Sequence, residues 1–277
     1  MAGYADEARL HRPAIYLEHG AGQRYLSTNS LPLAGAGAYS GGPGHERTIL
    51  FLCPSETVAG RWRETYPNTP ATAVGCPRLD WWHAHPGTGG GGDRPTLAIT
   101  FHSDARVCPE SASAWRHYEP HLKVAIGRLR AAGWEVLGHA HPRIRGTLER
   151  FWSGVEVEML PRLDDVFRRA DVLAFDNTSA GPEFASTGRP IIFMDAPWWR
   201  RHVNHGGRFW DWPQGQISID HADQLPTAAE RAYARSPEVE AARTRMVRAV
   251  YFATDGHATE RAVAAVLEVI PAPSTGV

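Results

Sequence analysis

The strongest constraint in this chain is a series of short, predominantly apolar runs. They are Thr96–Phe101 (TLAITF), Glu135–Ala140 (EVLGHA), Val172–Phe175 (VLAF) and Pro190–Met194 (PIIFM). Runs of this length without alternation mark strands buried on both faces, as in parallel sheets covered by helices. Helical stretches lie between them. Tyr118–Ala132 carries Leu122, Ile126 and Leu129 on one face and stops at Gly133. Arg162–Ala170 reads as a second helix, Val155–Met159 as a short strand, and Glu183–Thr187 as a short helix stopped by Gly188. Gln216–Asp220 reads as a strand, and Pro237–Thr254 and Ala258–Ile270 as terminal helices. Nearer the start, Ala14–Glu18, Thr48–Cys53 and Thr72–Gly75 read as strands, with a helix starting at Ser55. Strand and helix alternate with short loops, so the fold class is α/β.

Two glycine-rich segments punctuate this pattern. Leu33–Gly44 is a loop, and Pro86–Pro95 (PGTGGGGDRP) reads as a flexible linker joining two lobes. Residues 1–92 and 93–277 are then two Rossmann-type lobes, the first shortened. Ligands of such sheets sit at the carboxyl ends of the strands, here in a cleft between lobes.

Composition narrows the function classes. The net charge of -1 provides no overall basic field for nucleic acid or anionic lipid. Cys53, Cys76 and Cys108 are far apart and form no CxxC pair, which argues against a zinc ribbon or thioredoxin-type site and fits a reducing cytosol. The segment MAGYADEARLHRP lacks the apolar core of a signal peptide, and no apolar run reaches membrane-spanning length. A cytoplasmic location is expected, with peripheral membrane attachment left open. The ten tryptophans, including Trp81-Trp82 and Trp198-Trp199, follow no repeating spacing. Packing is the favoured reading over an aromatic wall for a sugar or base.

The most informative stretch for chemistry is Val172–Met194. A buried strand ends at Asp176, small residues Asn177, Thr178, Ser179, Ala180 and Gly181 follow, and a helix begins near Pro182 and Glu183. Small residues let backbone N–H groups approach an anion, and a helix start adds free donors and the positive end of its dipole. Thr178 and Ser179 can add hydroxyl donors, and Glu183 can accept from a ribose. The same pattern equally serves an ordinary capped connection. His19, followed by Gly20 at the end of AIYLE, is placed to act as a general base, with Glu18 as a rival; a structural loop histidine is the plainer alternative. His139 and His141 share a face, but no third metal ligand is indicated, so phosphate contact by His141 and Arg143 is preferred over a metal site. His83 and His85 repeat that spacing beside the linker. Asp255 is placed to cap the last helix, with Arg261 following.

Taken in order, these elements resemble the CDP-glycerol glycerophosphotransferase family, the teichoic-acid polymerase and primase type. His19-Gly20 matches its early His-Gly. Gly75-Cys-Pro-Arg-Leu-Asp80, which includes Arg78, looks like its G-x-P-R-x-D segment, and His141-Pro142 like its strand-ending His-Pro. Asp164–Thr187 resembles its acidic and serine-rich block, and Asp255–Arg261 its closing D-G-x-A…R. The resemblance implies a GT-B fold, with residues 1–92 on the acceptor side and 93–277 binding a nucleotide-diphosphate donor, CDP-glycerol or a UDP-sugar. His19 would deprotonate a hydroxyl acceptor, on a glycopolymer or lipid-linked, and His141 would contact the pyrophosphate. Asp176 to Ala180 would hold the donor phosphates, with no cofactor or tightly bound metal. This chain departs from the family in having Asn177-Thr178-Ser179 where an aromatic and two serines are usual. The same turn also resembles UDP-sugar glycosyltransferases and UDP-N-acetylglucosamine 2-epimerases. A non-catalytic nucleotide-sugar or glycan-binding module is the third alternative.

Overall fold

A computed structural model describes residues 13–18, 20–21, 24–25, 45, 47–103, 113–199, 205–206 and 217–270. The expected loop Leu33–Gly44 and the candidate base His19 lie outside the described residues. The chain divides into two compact units. One comprises Met1–His85, Val203–Arg208 and Arg248–Val277, the other Pro86–His202 and Phe209–Val247.

The first unit opens with strands β1 (Ala14–Leu17), β2 (Arg24–Tyr25) and β3 (Thr48–Cys53), helix α1 (Glu56–Thr65), strand β4 (Ala71–Ala73) and helix α2 (Asp80–Ala84). β1, β3 and β4 form a parallel sheet in that order, with Tyr16 opposite Phe51 and Phe51 opposite Ala71. Ser55 starts α1 as the sequence suggests, its side chain accepting from Val58 N at 3.4 Å. The buried face of α1, Val58, Ala59 and Trp62, covers the sheet. Trp62 stacks on Phe51 with ring centroids 4.2 Å apart and planes 10° off parallel. β4 ends two residues earlier than expected because Val74 N and Gly75 N both turn onto Cys53 O.

The second unit contains, in chain order, β5 (Thr96–Phe101), α3 (Trp115–Ala131), β6 (Glu135–Ala140), α4 (Arg145–Gly154), β7 (Glu158–Met159), α5 (Leu163–Arg169), β8 (Val172–Phe175), α6 (Ala180–Ser186) and β9 (Ile191–Met194). Strand β10 (His205–Gly206) belongs to the first unit and pairs antiparallel with β2. β11 (Ile217–Ile219), α7 (Leu225–Tyr233) and α8 (Pro237–Val250) follow, and α9 (Ala258–Val269) lies in the first unit. The six strands of the second sheet are all parallel, in the order β11-β9-β8-β5-β6-β7. The order reverses between β5 and β8, the point at which α/β sheets open a ligand crevice.

Helices α4 and α7 were not anticipated. α7 buries Leu225 and three alanines, Ala228, Ala229 and Ala232. The presence of α4 also shortens the strand expected at Val155–Met159. Val155 N and Val157 N bond the closing carbonyls of α4, leaving only Glu158–Met159 for the sheet. Trp152 of α4 lies flat on Gly138 of β6, where an added Cβ would sit 2.7 Å from the indole. Gly138→Ala is therefore expected to cost about 1–3 kcal/mol by overpacking. Urea unfolding checks this, and a midpoint unchanged from wild type would refute the contact.

The segment Pro86–Pro95 differs most from expectation. Instead of hanging as a flexible linker it is bonded along its length. Gly87 N donates to Thr187 O, Gly90 N to Arg168 O, and Gly91 N to Asp171 Oδ1.

Candidate active site

At the strand reversal, β8 delivers Asp176 to the end of the sheet, fully buried. Its Oδ1 accepts from His102 N at 2.7 Å, just past β5. Its Oδ2 accepts from Ser113 Oγ at 2.8 Å and Ala114 N at 3.0 Å, at the start of α3. One carboxylate thus ties the end of β5 and the start of α3 to the end of β8. Burial pushes its pKa up to about 7, opposed by these donors from His102, Ser113 and Ala114. Asp176 therefore shapes the site from behind and presents no surface to a ligand.

The turn after Asp176 is closed by its own bonds. Thr178 N donates to Asp176 O at 2.8 Å, and Thr178 Oγ1 accepts from Ala180 N at 3.3 Å. Ser179 Oγ donates to Glu183 Oε1 at 2.8 Å. Asn177, Ala180 and Glu183 are buried, while Thr178 and Ser179 remain half-buried and reachable. α6 starts three residues earlier than expected. Gly181 lies so close to the Phe175 ring that a Cβ would fall 2.2 Å from it, so this turn tolerates only a bare backbone there.

The neighbouring strand ends contribute imidazoles. His102 follows β5 and His141 follows β6, with ring centroids 5.0 Å apart. His141 Nδ1 accepts from Arg143 N at 3.2 Å, which sets the ring at the head of a 3-10 turn, and the Arg143 side chain is exposed. Two residues back along the same strands, Thr100 Oγ1 and His139 Nδ1 share a hydrogen bond of 2.7 Å. Of the anticipated residues, Asp176 and His141 are linked through His102. His102 and Ser113 were missed by sequence reasoning. His102 directly follows the run TLAITF, the same position that singled out His19 and His141. Ser113 accepts from Trp115 N at 3.1 Å, a helix-start serine of the ordinary kind.

In the first unit, Gly20 turns the chain with φ 56°. Glu18, at the end of β1, is buried, and its Oε2 accepts from Trp62 Nε1 at 3.1 Å. Burial pushes this carboxyl up to about 8, with the Trp62 bond opposing. Asp80, rather than Asp255, caps the last helix, its two oxygens accepting from Ala258 N at 2.9 Å and Thr259 N at 2.7 Å. Asp255 instead binds Arg261 through two bonds of 2.9 Å, and the Arg261 hydrogen bonds hold its carboxyl well below the usual range. Arg261 Nε also donates to Val74 O at 2.9 Å. Asp80 and Arg261 thus fix the C-terminal helix to the first sheet, and Arg78 is exposed on the 3-10 turn before α2. Among the described residues, no three His, Cys, Asp or Glu side chains are placed to hold a metal ion. No described helix is long and apolar enough to cross a membrane.

No family model matches this sequence, and no curated protein sequence matches it. Solved structures do match. The wall teichoic acid polymerase TagF is similar with a TM-score of 0.59 and 11% identity, over 92% of this chain and 68% of that one. A TagF variant soaked with CDPG is similar with a TM-score of 0.58 and 13% identity, over 92% of this chain and 67% of that one. A UDP-N-acetylglucosamine 2-epimerase is similar with a TM-score of 0.52 and 15% identity, over 95% of this chain and 69% of that one. This chain spans about two thirds of the length of those chains. The fold they share with it is GT-B, α/β with parallel sheets.

Proposed function

We propose that the protein is a transferase that moves a glycerol-phosphate or sugar group from a nucleotide-diphosphate donor to a hydroxyl acceptor. The observation that carries this reading is the convergence on Asp176, which ties two strand ends and a helix start together where the sheet order reverses. In this reading the second unit binds the donor and the first receives the acceptor, a glycopolymer or lipid-linked hydroxyl.

The donor's diphosphate would lie over Thr178 and Ser179 and the backbone leading into α6, where N–H groups and the helix dipole favour negative charge. His102 and His141 would each direct a ring N–H at the oxygens of the leaving phosphate, with Arg143 adding a fixed positive charge at the rim. Electrostatic stabilisation aimed at developing charge is the largest catalytic effect such a site offers. His19 would take the proton from the acceptor hydroxyl, and Gly20 would let the chain turn beside it. Arg78, Asp80 and Arg261 would act by holding the acceptor-side frame together. Teichoic-acid-type glycerophosphate transfer from CDP-glycerol is the finer form of this proposal. A UDP-N-acetylglucosamine 2-epimerase activity is the second reading, since that enzyme class shares the fold.

Thermal-shift binding with CDP-glycerol, CDP, UDP-glucose, UDP-N-acetylglucosamine and UDP, with and without magnesium, tests the proposal. A ligand at a hundredfold excess over its Kd should add about 2.7 kcal/mol. The expected result is selective stabilisation by the cytidine compounds, lost in His102→Ala and His141→Ala. Selective stabilisation by the uridine compounds would move the assignment to UDP-sugar chemistry. No stabilisation by any of the five would defeat the donor site itself.

A further inference from the structure

We propose that the glycine run Pro86–Pro95 is a fixed strap of the second unit, pinned by Asp171 and by the closing carbonyls of α5. Asp171 holds the strap at two points. Its Oδ1 accepts from Gly91 N at 2.8 Å, and its Oδ2 accepts from Thr96 N at 2.9 Å, at the first residue of β5. Asp171 N returns a bond to Thr96 O at 2.9 Å. Upstream, Gly90 N donates to Arg168 O at 2.9 Å and Gly87 N to Thr187 O at 3.1 Å. The strap's N–H groups therefore donate to acceptors at the end of α5, at Asp171 before β8 and at the end of α6.

The glycines are there for contact. At Gly89, with φ 91°, an added Cβ would lie 2.2 Å from Phe167 O and 2.7 Å from an Arg189 guanidinium nitrogen. At Gly90, with φ 67°, it would lie 2.2 Å from Asp171 Oδ1. Both positions combine a left-handed backbone with an approach that no side chain permits. Arg189 lies beneath the strap, buried, and its guanidinium donates to Phe167 O and to Ala170 O at 2.9 Å. It satisfies the same carbonyl group that Gly89 covers. Gly92, by contrast, has an ordinary φ and no atom nearer than 3.9 Å to its added Cβ. A tether uses all its glycines alike, whereas this run uses them unequally.

The consequence concerns how the chain can move. A free segment of this length would give a reach of about 33 Å. Pinned, it gives almost none, and this stretch of chain moves with the second unit to which it is bonded.

The experiment compares Gly89→Ala, Gly90→Ala, Gly92→Ala and Asp171→Ala in the full chain, by melting temperature and by amide hydrogen exchange. The Gly92→Ala protein is expected to melt as wild type. Gly89→Ala and Gly90→Ala should each lower Tm by roughly 5 °C or more. In the wild type, the amides of Gly87, Gly90 and Gly91 should exchange at least about tenfold more slowly than in the free peptide PGTGGGGDRP. Asp171→Ala should bring Gly91 and Thr96 towards the peptide rate. A Gly89→Ala chain that fails to fold supports the strap, because a tether residue has no native contact to lose. Equal tolerance of alanine at positions 89, 90 and 92, or peptide-like exchange at Gly87, Gly90 and Gly91 in the wild type, would overturn it.

Discussion

Asp176→Ala is expected to destabilise the second unit by about 3–5 kcal/mol and to remove donor binding with it. The change leaves three donors, His102 N, Ser113 Oγ and Ala114 N, facing a site with no acceptor. Each buried donor stripped of its partner costs about 1–3 kcal/mol. Part of that is regained where the released ends of β5 and α3 reach water, so the sum falls short of three full penalties. Asp176→Asn keeps the shape and one acceptor but turns an amide N–H₂ towards donors. Its loss should be intermediate, about 2 kcal/mol. Urea unfolding followed by far-UV circular dichroism gives the stability, and hydrogen exchange at His102 and Ala114 shows whether those amides are the ones exposed. A loss below about 1 kcal/mol in the alanine variant would mean that the carboxylate does not organise this end of the sheet.

The second large effect is a dependence of stability on pH that comes from Glu18. The folded-state pKa is raised from 4.5 to about 8 by burial, with the Trp62 indole bond acting in the opposite direction. The sign follows from proton counts. Between pH 4.5 and about 8 the folded protein keeps a proton that the unfolded chain has released, so raising the pH favours unfolding. The contribution of Glu18 is therefore complete below pH 4.5, declines through this window, and is lost above the folded pKa. The slope is at most about 1.4 kcal/mol per pH unit, and the full shift bounds the total at about 5 kcal/mol. Asp176, raised to about 7, contributes with the same sign, so the wild-type curve alone does not isolate Glu18. The difference from Glu18→Gln does, because glutamine retains an acceptor for Trp62 Nε1 and has no charge to gain. The expected result is a variant whose stability declines less than wild type from pH 5 to 9. Parallel curves would show that the Glu18 carboxyl is as easily ionised in the folded chain as in the unfolded one.

Much of the second unit was legible in the sequence for one physical reason. A strand buried on both faces must be apolar throughout, so TLAITF, VLAF and PIIFM announce themselves without any knowledge of their neighbours. The position of Asp176 was legible for a related reason, as the first charged residue after such a run. The bonds it makes were not, since Ser113 and Ala114 lie 63 and 62 residues away and no local pattern pairs them. Helix α4 escaped because its buried positions are only Leu148 and Trp152, too few to show a period against a charged background. α7 was passed over although Leu225, Ala228, Ala229 and Ala232 recur at helical spacing.

The sequence alone determined the α/β class, the positions of the long buried strands and the turn that follows Asp176, because each is set by the chemistry of adjacent residues. The tertiary structure decided which end groups meet. It gave the cap of α9 to Asp80, 178 residues from Ala258, and left Asp255 to bind Arg261. It placed His102 beside His141 and turned a run of glycines from a slack connection into a strap. These outcomes depend on contacts between residues distant in the chain. A hydrogen bond or close approach of that kind is fixed by the geometry of the sheet that brings its partners together, and leaves no periodic trace in the order of the residues.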